Sequence, residues 1–351
     1  MAAESAYAAA GVDIVAGDRA VELMKASVAR TRRPEVLGGL GGFAGFFDAS
    51  ALARYDHPVL VTSTDGVGTK VAIAQAMGVY DTIGFDLIGM LVDDLVVTGA
   101  EPLFVTDYIA CGKVHPERIA AIVDGIARGC EAAGAALLGG ETAEHPGLLG
   151  VDDFDVAGAT TGVVEKAEIL GPERVVPGDV ALALASSGLH SNGYSLVRHV
   201  LLNQAGWSLE RHVPELGRTL GEELLEPTRV YAKACLEVVR GSEVHAMSHI
   251  TGGGLANNLA RVLPSGVEVV IDRTTWSPAP IFGLVQSVGE VSQPDIEATL
   301  NQGVGMIMLM PAAEADAARA ALAGFGIDAW VAGEALAAQG DGSVRMVGQH
   351  S

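Results

Sequence analysis

Short apolar, β-branched runs recur along this chain, each breaking into a polar, glycine-bearing turn and then a stretch of helical spacing. That alternation predicts an α/β fold of the α+β type, built as two α/β halves. Val59, Leu60 and Val61 form one such run. It passes through Thr62, Ser63, Thr64 and Asp65 into the turn Gly66-Val67-Gly68-Thr69-Lys70, after which VAIAQAM predicts a helix. Ahead of it, residues 1–18 fit a short strand or a docking arm. Residues 18–33 predict an amphipathic helix with Val21, Leu23, Met24 and Val28 on its apolar side, stopping in Arg30, Arg32 and Arg33 before Pro34. Behind it, the pattern predicts a long buried helix at 81–99, a strand at 101–110, a helix at 115–133 with Pro116 in its first turn, and strands at 135–144 and 155–164. The proline-bearing, charged stretch 171–180 predicts a linker between a first domain at 1–170 and a second at 181–345. The second opens on a strand at 180–185. Farther on, MIMLM predicts a strand, residues 312–324 a helix and the surroundings of Trp330 a final strand. The last ~15 residues, rich in Gly, Gln and Asp, are expected to fray.

Composition narrows the class. With 351 residues, 49% of them hydrophobic and only 5% aromatic, the chain describes globular domains with aliphatic cores. A net charge of −21 argues against a nucleic-acid coat or an anionic-membrane binder, since both need positive potential. A phosphorylated ligand must then be held locally, by backbone amides, helix N-termini or a divalent metal. Cys111, Cys130 and Cys235 are widely spaced and form no C-x-x-C pair, which reads as reduced core thiols. No basic, apolar leader opens the chain, and no long run lacks a charge. A cytoplasmic protein with neither membrane nor nucleic-acid partner is expected.

Candidate chemistry gathers at the turns. Asp65 at a strand end, the flexible Gly66 and Gly68, and Lys70 at a helix start suit a metal-bound phosphate; a solvated acid and base in an ordinary strand-turn-helix is the plainer alternative. Five glycines within residues 37–47, among them Gly38, Gly39, Gly41 and Gly42, predict a loop that closes over a ligand with its N–H groups. Gly39-x-Gly41-x-x-Ala44 is rejected as a dinucleotide fingerprint because TRRPEV, not an apolar strand, precedes it, and no Walker motif occurs. Lys25 with Arg30, Arg32 and Arg33 forms a basic island that either meets a phosphate or complements a helix C-terminus. Asp86, Asp93 and Asp94 are costly inside an apolar helix unless a cation meets them; metal ligation by Asp94, alone or with Asp86 or Asp93, is favoured over the plainer alternative in which one of them caps or pairs locally and another is exposed. Asp107 lies on the next strand, and Glu141 repeats at another strand end the design seen at Asp65. Asp65, Asp94 and Glu141 are expected to present three carboxylates to one Mg2+-phosphate group. In the second half, Ser186, Ser187, His190, Ser191 and Asn192 share a turn able to donate to a phosphate, with His190 placed to donate, accept or shuttle a proton. His245 and His249 are four apart but lack a third zinc ligand, so Thr251 with Gly252, Gly253 and Gly254 at a helix start reads as an anion turn instead. NQGVGM at 301–306 is a third turn of this kind.

Taken together, TRRPEVLGGLGGF, TDGVGTK, GAEPLF, GGETAE, DVAG, SSGLHSNGYSL, ITGGG and GVGM resemble the phosphoribosylformylglycinamidine cyclo-ligases, or AIR synthetases, almost from end to end. The resemblance implies a first half that contributes strands to a dimeric β-barrel interface, a second half made of a sheet covered by helices, and ATP bound near the subunit interface of a homodimer. It implies ATP- and Mg2+-dependent closure of formylglycinamidine ribonucleotide to aminoimidazole ribonucleotide in de novo purine synthesis. By motif, Asp65, Asp94 and Glu141 match acids that bind Mg2+-phosphate, Lys70 a contact to ATP phosphates, and Gly38–Gly42 the nucleotide loop. Asp65, Lys70 and His190 are the expected catalytic group, and Asp107 is counted with the cofactor-binding residues. Ser191, Asn192, His249, Thr251, Gly252 and Gly253 match substrate-binding turns. Two departures stand out: Tyr7-Ala8-Ala9-Ala10-Gly11 lacks the Lys that commonly follows the Tyr, and Asp93 stands where Asn is common. A thiamine-monophosphate or selenide kinase of the same superfamily would share the acids but not SSGLHSNGYS or TDGVGTK. A non-catalytic nucleotide sensor would keep the loop without turnover.

Overall fold

The described residues open on a helix. In this computed structural model, which describes residues 13–39 and 41–350, the Asp13 carboxylate accepts the Ala16 N–H at 3.0 Å and so caps α1 (Ile14–Arg30). The strand or arm expected before residue 18 is therefore helical from Ile14 onward; residues 1–12, with Tyr7–Gly11, lie outside the described residues. Val21, expected on the buried side, is 40% exposed, and small residues such as Ala20 and Ser27 make the buried contact instead.

Contacts divide the chain into two units, one running to Leu95 and including Pro102–Glu165, the other comprising Val96–Glu101 and the residues from Lys166 onward. The first unit continues through β1 (Val36–Leu37), β2 (Phe46–Phe47), β3 (Pro58–Gly66), α2 (Val71–Met77), α3 (Ile83–Val96), β4 (Glu101–Cys111), α4 (Pro116–Ala133), β5 (Ala136–Glu144) and β6 (Phe154–Glu165). Its four-stranded sheet has the order β3-β6-β4-β5. β3 pairs antiparallel with β6, setting Leu60 opposite Val163, and β4 pairs parallel with β5, as the α4 crossover requires. One face is packed by helix: Leu87, Leu91 and Leu95 of α3 and Ile122 and Ile126 of α4 are fully buried. The two helices cross with their backbones touching, since a Cβ on Gly84 would stand 2.1 Å from the Gly125 carbonyl carbon. Ser27 and Arg30 tie α1 to Asp124 of α4, each at 2.7 Å. The opposite face of the sheet stands open, with Leu60 62% exposed and Thr62 and Thr64 beside it.

The second unit runs through β7 (Asp179–Ala185), α5 (Tyr194–Arg198), β8 (His212–Val213), β9 (Arg218–Thr219), α6 (Leu220–Leu224), α7 (Ala232–Gly241), β10 (Ala246–His249), α8 (Gly254–Ala260) and β11 (Val267–Asp272). It ends with α9 (Pro280–Gly289), α10 (Gln293–Glu297), β12 (Val304–Pro311), α11 (Ala315–Ala323), β13 (Ala329–Ala337) and β14 (Ser343–Val347). A six-stranded sheet in the order β10-β12-β7-β13-β11-β14 forms its centre. β12 and β7 read as near-continuous apolar runs because they lie inside the sheet, buried on both faces. The tail expected to fray is instead an ordered edge strand. β14 pairs parallel with β11, Val344 and Met346 pack on the core, and Arg345 meets Glu268 at 2.9 Å. All three cysteines are buried free thiols, and no helix among the described residues is long and apolar enough to cross a membrane.

His245, just before β10, holds Nδ1 at 2.7 Å from Asp179 and Nε2 at 3.2 Å from Glu243. Burial pulls its pKa down, but the hydrogen bonds and charges of the two carboxylates outweigh burial and raise it overall. The folded state therefore holds this proton more tightly than the unfolded state. The stabilisation is complete below the unfolded value, about 6.5, and is lost as pH rises through the raised folded value. The thermal midpoint of the wild type is expected to fall across that window, and His245→Gln to flatten the decline; scanning calorimetry at stepped pH checks both.

Candidate functional site

The ribbon of β1 and β2 flanks the glycine loop. Gly38 and Gly41 have φ of +80° and +101°, and a Cβ on either, or on Gly39, would meet nothing within 4 Å. These glycines shape and bare the backbone rather than make room for packing. Gly45 is different: a Cβ there would lie 2.6 Å from Leu138 Cγ, so the loop is seated against β5. Lys25 and Arg32, the glycines Gly38, Gly39, Gly41 and Gly42, and Asp107 with Gly139 and Gly140 bound a cavity of about 580 Å3, a size suited to a small-molecule ligand. Of the basic island, Arg30 is engaged by Asp124 and Glu131, and Arg33 by Glu35 and the carbonyls of Pro102 and Gly134. Lys25 and Arg32 alone of the four line the cavity, Arg32 steadying the loop by donating to Gly38 O at 3.0 Å.

Asp107 is half-buried in the cavity wall, its carboxylate laid on Gly140, where a Cβ would stand 2.1 Å from Oδ1. Burial raises its pKa to about 7, against a smaller opposing pull from a backbone hydrogen bond. Between about pH 4 and 7 the folded state then binds more protons here than the unfolded state, so stability falls as pH rises. Asp107→Asn is expected to raise stability at pH 8 by roughly 1–2 kcal/mol, less than a full desolvation because the group is only half-buried, and to change little at pH 4. Urea unfolding at the two pH values measures the difference.

The expected metal acids are all exposed. Asp65 ends β3 with Oδ1 on the Gly66 N–H at 2.7 Å, Asp94 lies on α3, and Glu141 on β5 takes the Thr142 N–H at 3.0 Å. β3 and β5 are the two edges of the sheet, three strand spacings or roughly 14 Å apart. Among the described residues no three His, Cys, Asp or Glu side chains are grouped to hold a metal ion. The donors' chemistry nevertheless fits Mg2+, a hard cation that keeps several waters and takes one or two carboxylates plus substrate phosphates rather than an all-protein cage. Lys70 turns away from the surface of its turn: its Nζ lies 2.8 Å from Asp86 Oδ1, and both side chains are wholly buried. Asp86 is thus an acid of α3 that meets a buried cation, and that cation is Lys70.

In the second unit three turns distant in sequence converge. His190 has φ +63°, and its Nε2 accepts the Ser187 N–H at 3.2 Å, which assigns the neutral ring its proton on Nδ1. Its ring packs on β12, for a Cβ on Gly305 would lie 2.7 Å from His190 Cε1. Asn301 ties the turns together by donating to the Gly188 and Leu189 carbonyls at 2.9 and 3.2 Å while accepting the Gly303 N–H at 2.8 Å. The third turn is drawn in as well, since a Cβ on Gly252 would stand 3.4 Å from Asn192 Oδ1. Asn258 shapes the stretch Thr251–Gly254 from inside, its Nδ2 directed at the carbonyls of Thr251, Gly252 and Gly254, the last at 2.8 Å. His249, buried at the end of β10, sits opposite Met306 in the sheet. Sequence reasoning named His190, Ser191, Asn192, His249, Thr251, Gly252 and Gly253 but missed Asn258, Asn301 and Tyr231. The only signal for the asparagines was an amide inside or beside each glycine turn.

Models of the AIR synthase related protein match both units, the N-terminal domain at residues 47–164 and the C-terminal domain at 176–345. The phosphoribosylformylglycinamidine cyclo-ligase of Brevibacillus brevis is 50% identical over 95% of this chain and 96% of its own, and that of Shouchella clausii 51% identical over 96% and 97%. The chain belongs to the phosphoribosylformylglycinamidine cyclo-ligase family. Solved structures share the fold at much lower identity. Thiamine-monophosphate kinase from Stenotrophomonas maltophilia superposes with a TM-score of 0.66 at 20% identity, covering 94% of this chain and 96% of that one. The hydrogenase maturation protein HypE, in complex with ATP, gives 0.60 at 19% over 92% and 86%. Cyclo-ligase kinship thus rests on sequence across both units, and the wider likeness is one of fold.

Proposed function

We infer that this chain is the ATP-dependent ligase that closes the imidazole ring of aminoimidazole ribonucleotide in purine biosynthesis. The observation that carries this reading is 50% identity to cyclo-ligases over 95% of the chain, spanning the glycine-loop cavity and the three converging turns alike. The substrate is formylglycinamidine ribonucleotide, and the chemistry has two steps. The amide oxygen is a poor leaving group, so it first takes the γ-phosphoryl group of ATP, giving an iminophosphate and ADP. An amidine nitrogen then attacks the activated carbon, the C–O bond breaks, phosphate leaves with the bonding pair, and loss of a proton completes the ring.

The cavity of the first unit suits ATP, with Lys25, Arg32 and the N–H groups around Gly38, Gly39, Gly41 and Gly42 as donors to an anion. Mg2+ bound by Asp65, Asp94 or Glu141 together with phosphate oxygens would spread the charge of the transferred group. Lys70, held on Asp86, anchors the start of α2 behind that site. In the second unit Ser191, Asn192, Thr251, Gly252 and Gly253 offer donors to the substrate. His190, 1% exposed and closed on Ser187, acts as a positioning residue for that turn. Two copies pair through the open face of the first unit's sheet, where Leu60, Thr62, Thr64 and Tyr108 are exposed, and the enzyme works in the cytoplasm.

The test is product formation by the purified chain with ATP, Mg2+ and formylglycinamidine ribonucleotide. Equal yields of ADP and aminoimidazole ribonucleotide, each dependent on the ribonucleotide, are expected. ADP formed with thiamine monophosphate and not with the ribonucleotide would replace this reading by a kinase, and ATP binding without either product would leave a sensor.

A further inference from the structure

α6 ends at Leu224, so the carbonyl of that residue has no further helical turn to donate to it. A hydroxyl of the His190 turn does so instead. Tyr194 Oη, four residues after His190, donates to the Leu224 carbonyl at 2.7 Å, and Ser187 Oγ, three residues before His190, donates to the Pro227 carbonyl at 2.7 Å. Both ends of the turn thus hang on one segment, residues 224–227. Glu226, within that segment, lies against the turn itself, since a Cβ on Gly188 would stand 3.9 Å from its Cγ. The segment is pinned from its other side by Arg218, where β9 leaves the β8–β9 hairpin. Its Nη1 donates to Glu226 Oε2 and its Nε to Glu223 Oε2, each at 2.6 Å. One planar guanidinium forks between two acids here, which the point charge of an ammonium does not reproduce. Glu223 is buried, so this is more than a surface ion pair. A continuous chain of contacts then runs from the hairpin to the residues on either side of His190.

We propose that Arg218 is a positioning residue for the substrate turn. By holding Glu223 and Glu226 it fixes residues 224–227, and through Ser187 and Tyr194 that segment sets where His190, Ser191 and Asn192 stand. Without Arg218 two like charges are left close together beside the turn, and the segment carrying them gives way. The role of the turn rests on the cyclo-ligase reading; the clamp itself does not.

Arg218→Met is compared with the wild type in two ways, both on the full-length chain. The first is hydrogen exchange without ligand, read by mass spectrometry over peptides covering Ser187–Val197. The Ser187 N–H bonds His190 Nε2, and those of Leu196 and Val197 bond the Gly193 carbonyl. Their exchange is expected to quicken about tenfold, with β12 unchanged. The second is steady-state kinetics, where KM for formylglycinamidine ribonucleotide is expected to rise roughly tenfold while KM for ATP stays as it was. A variant that was merely less folded would lose kcat and keep both KM values. Arg218→Lys, which keeps the charge without the fork, should fall between. Ser187→Ala cuts the same clamp at the turn, so its effect combined with Arg218→Met should be smaller than the product of the two alone. Should Arg218→Met not fold, Arg218→Lys and Ser187→Ala carry the same comparison. Exchange as slow as in the wild type, exchange quickened throughout the second unit, both KM values rising alike, or effects that simply multiply would each overturn the proposal. A wild-type chain without cyclo-ligase activity would overturn the functional reading instead, and the exchange result would still decide the clamp.

Discussion

Replacing Lys70 by Met is expected to destabilise the first unit by about 3–5 kcal/mol, the cost of stranding a buried charge by removing its partner. The ammonium and the Asp86 carboxylate sit 2.8 Å apart with neither side chain exposed to solvent. Coulomb attraction and desolvation nearly cancel while both are present; with Lys70 gone, the desolvation of Asp86 loses that offset. Asp86 would then resist ionisation, so the loss should grow as pH rises above the ordinary carboxylate range. The double variant Lys70→Met, Asp86→Asn removes both charges and should recover most of the stability. Urea unfolding of the three proteins at pH 5 and pH 8 decides the matter. A single variant as stable as the wild type, or a double no better than the single, would sink the argument. The double variant also separates anchoring from chemistry: if it folds and turns over normally, Lys70 makes no essential phosphate contact.

Lys70 also marks where sequence reading stops. The turn, the lysine and the three acids of α3 were all legible, and so was the need for a cation among those acids. Which acid would meet which cation depended on the rotation of α3, and that is set by packing against β6 and α4, where Gly158 and Gly84 allow close approach. The same limit applied to Asp65 and Glu141. Each was legible as a strand-end acid, but the strand order β3-β6-β4-β5 puts them on opposite edges, and order within a sheet leaves no mark on the spacing of residues. α1 was placed too late because its cap, Asp13, lies in an Ala- and Gly-rich stretch with little apolar period. β14 was missed because a five-residue edge strand among Gly and Gln carries only Val344 and Met346 as inward signals. The strands β7 and β12 were plain, being unbroken apolar runs flanked by turns. Each glycine turn of the second unit was visible alone. Their convergence was not, because it runs through Asn301, whose partner Gly188 lies 113 residues away.

That convergence makes Gly305 the second position where a small change should have a large effect. β12 passes directly beneath the His190 turn. A Cβ on Gly305 would stand 2.0 Å from Tyr231 Oη and 2.7 Å from His190 Cε1. Tyr231 cannot simply withdraw, since its hydroxyl donates to the Ala185 carbonyl at 2.7 Å at the end of β7. Gly305→Ala must therefore push the His190 ring, and with it Ser191 and Asn192. Overpacking of this kind costs roughly 1–3 kcal/mol of stability, while a shift near 1 Å in groups that position substrate can cost on the order of 100-fold in rate. The expected result is a variant that stays folded, loses about two orders of magnitude in kcat and binds ATP as the wild type does, because the glycine-loop cavity belongs to the other unit. Adding Tyr231→Phe removes the oxygen responsible for the closer clash and should return part of the rate, which a general loss of stability would not allow. Wild-type kcat in Gly305→Ala would show that the His190 turn does not need its present seat on β12, and the positioning role given to His190 would fall with it.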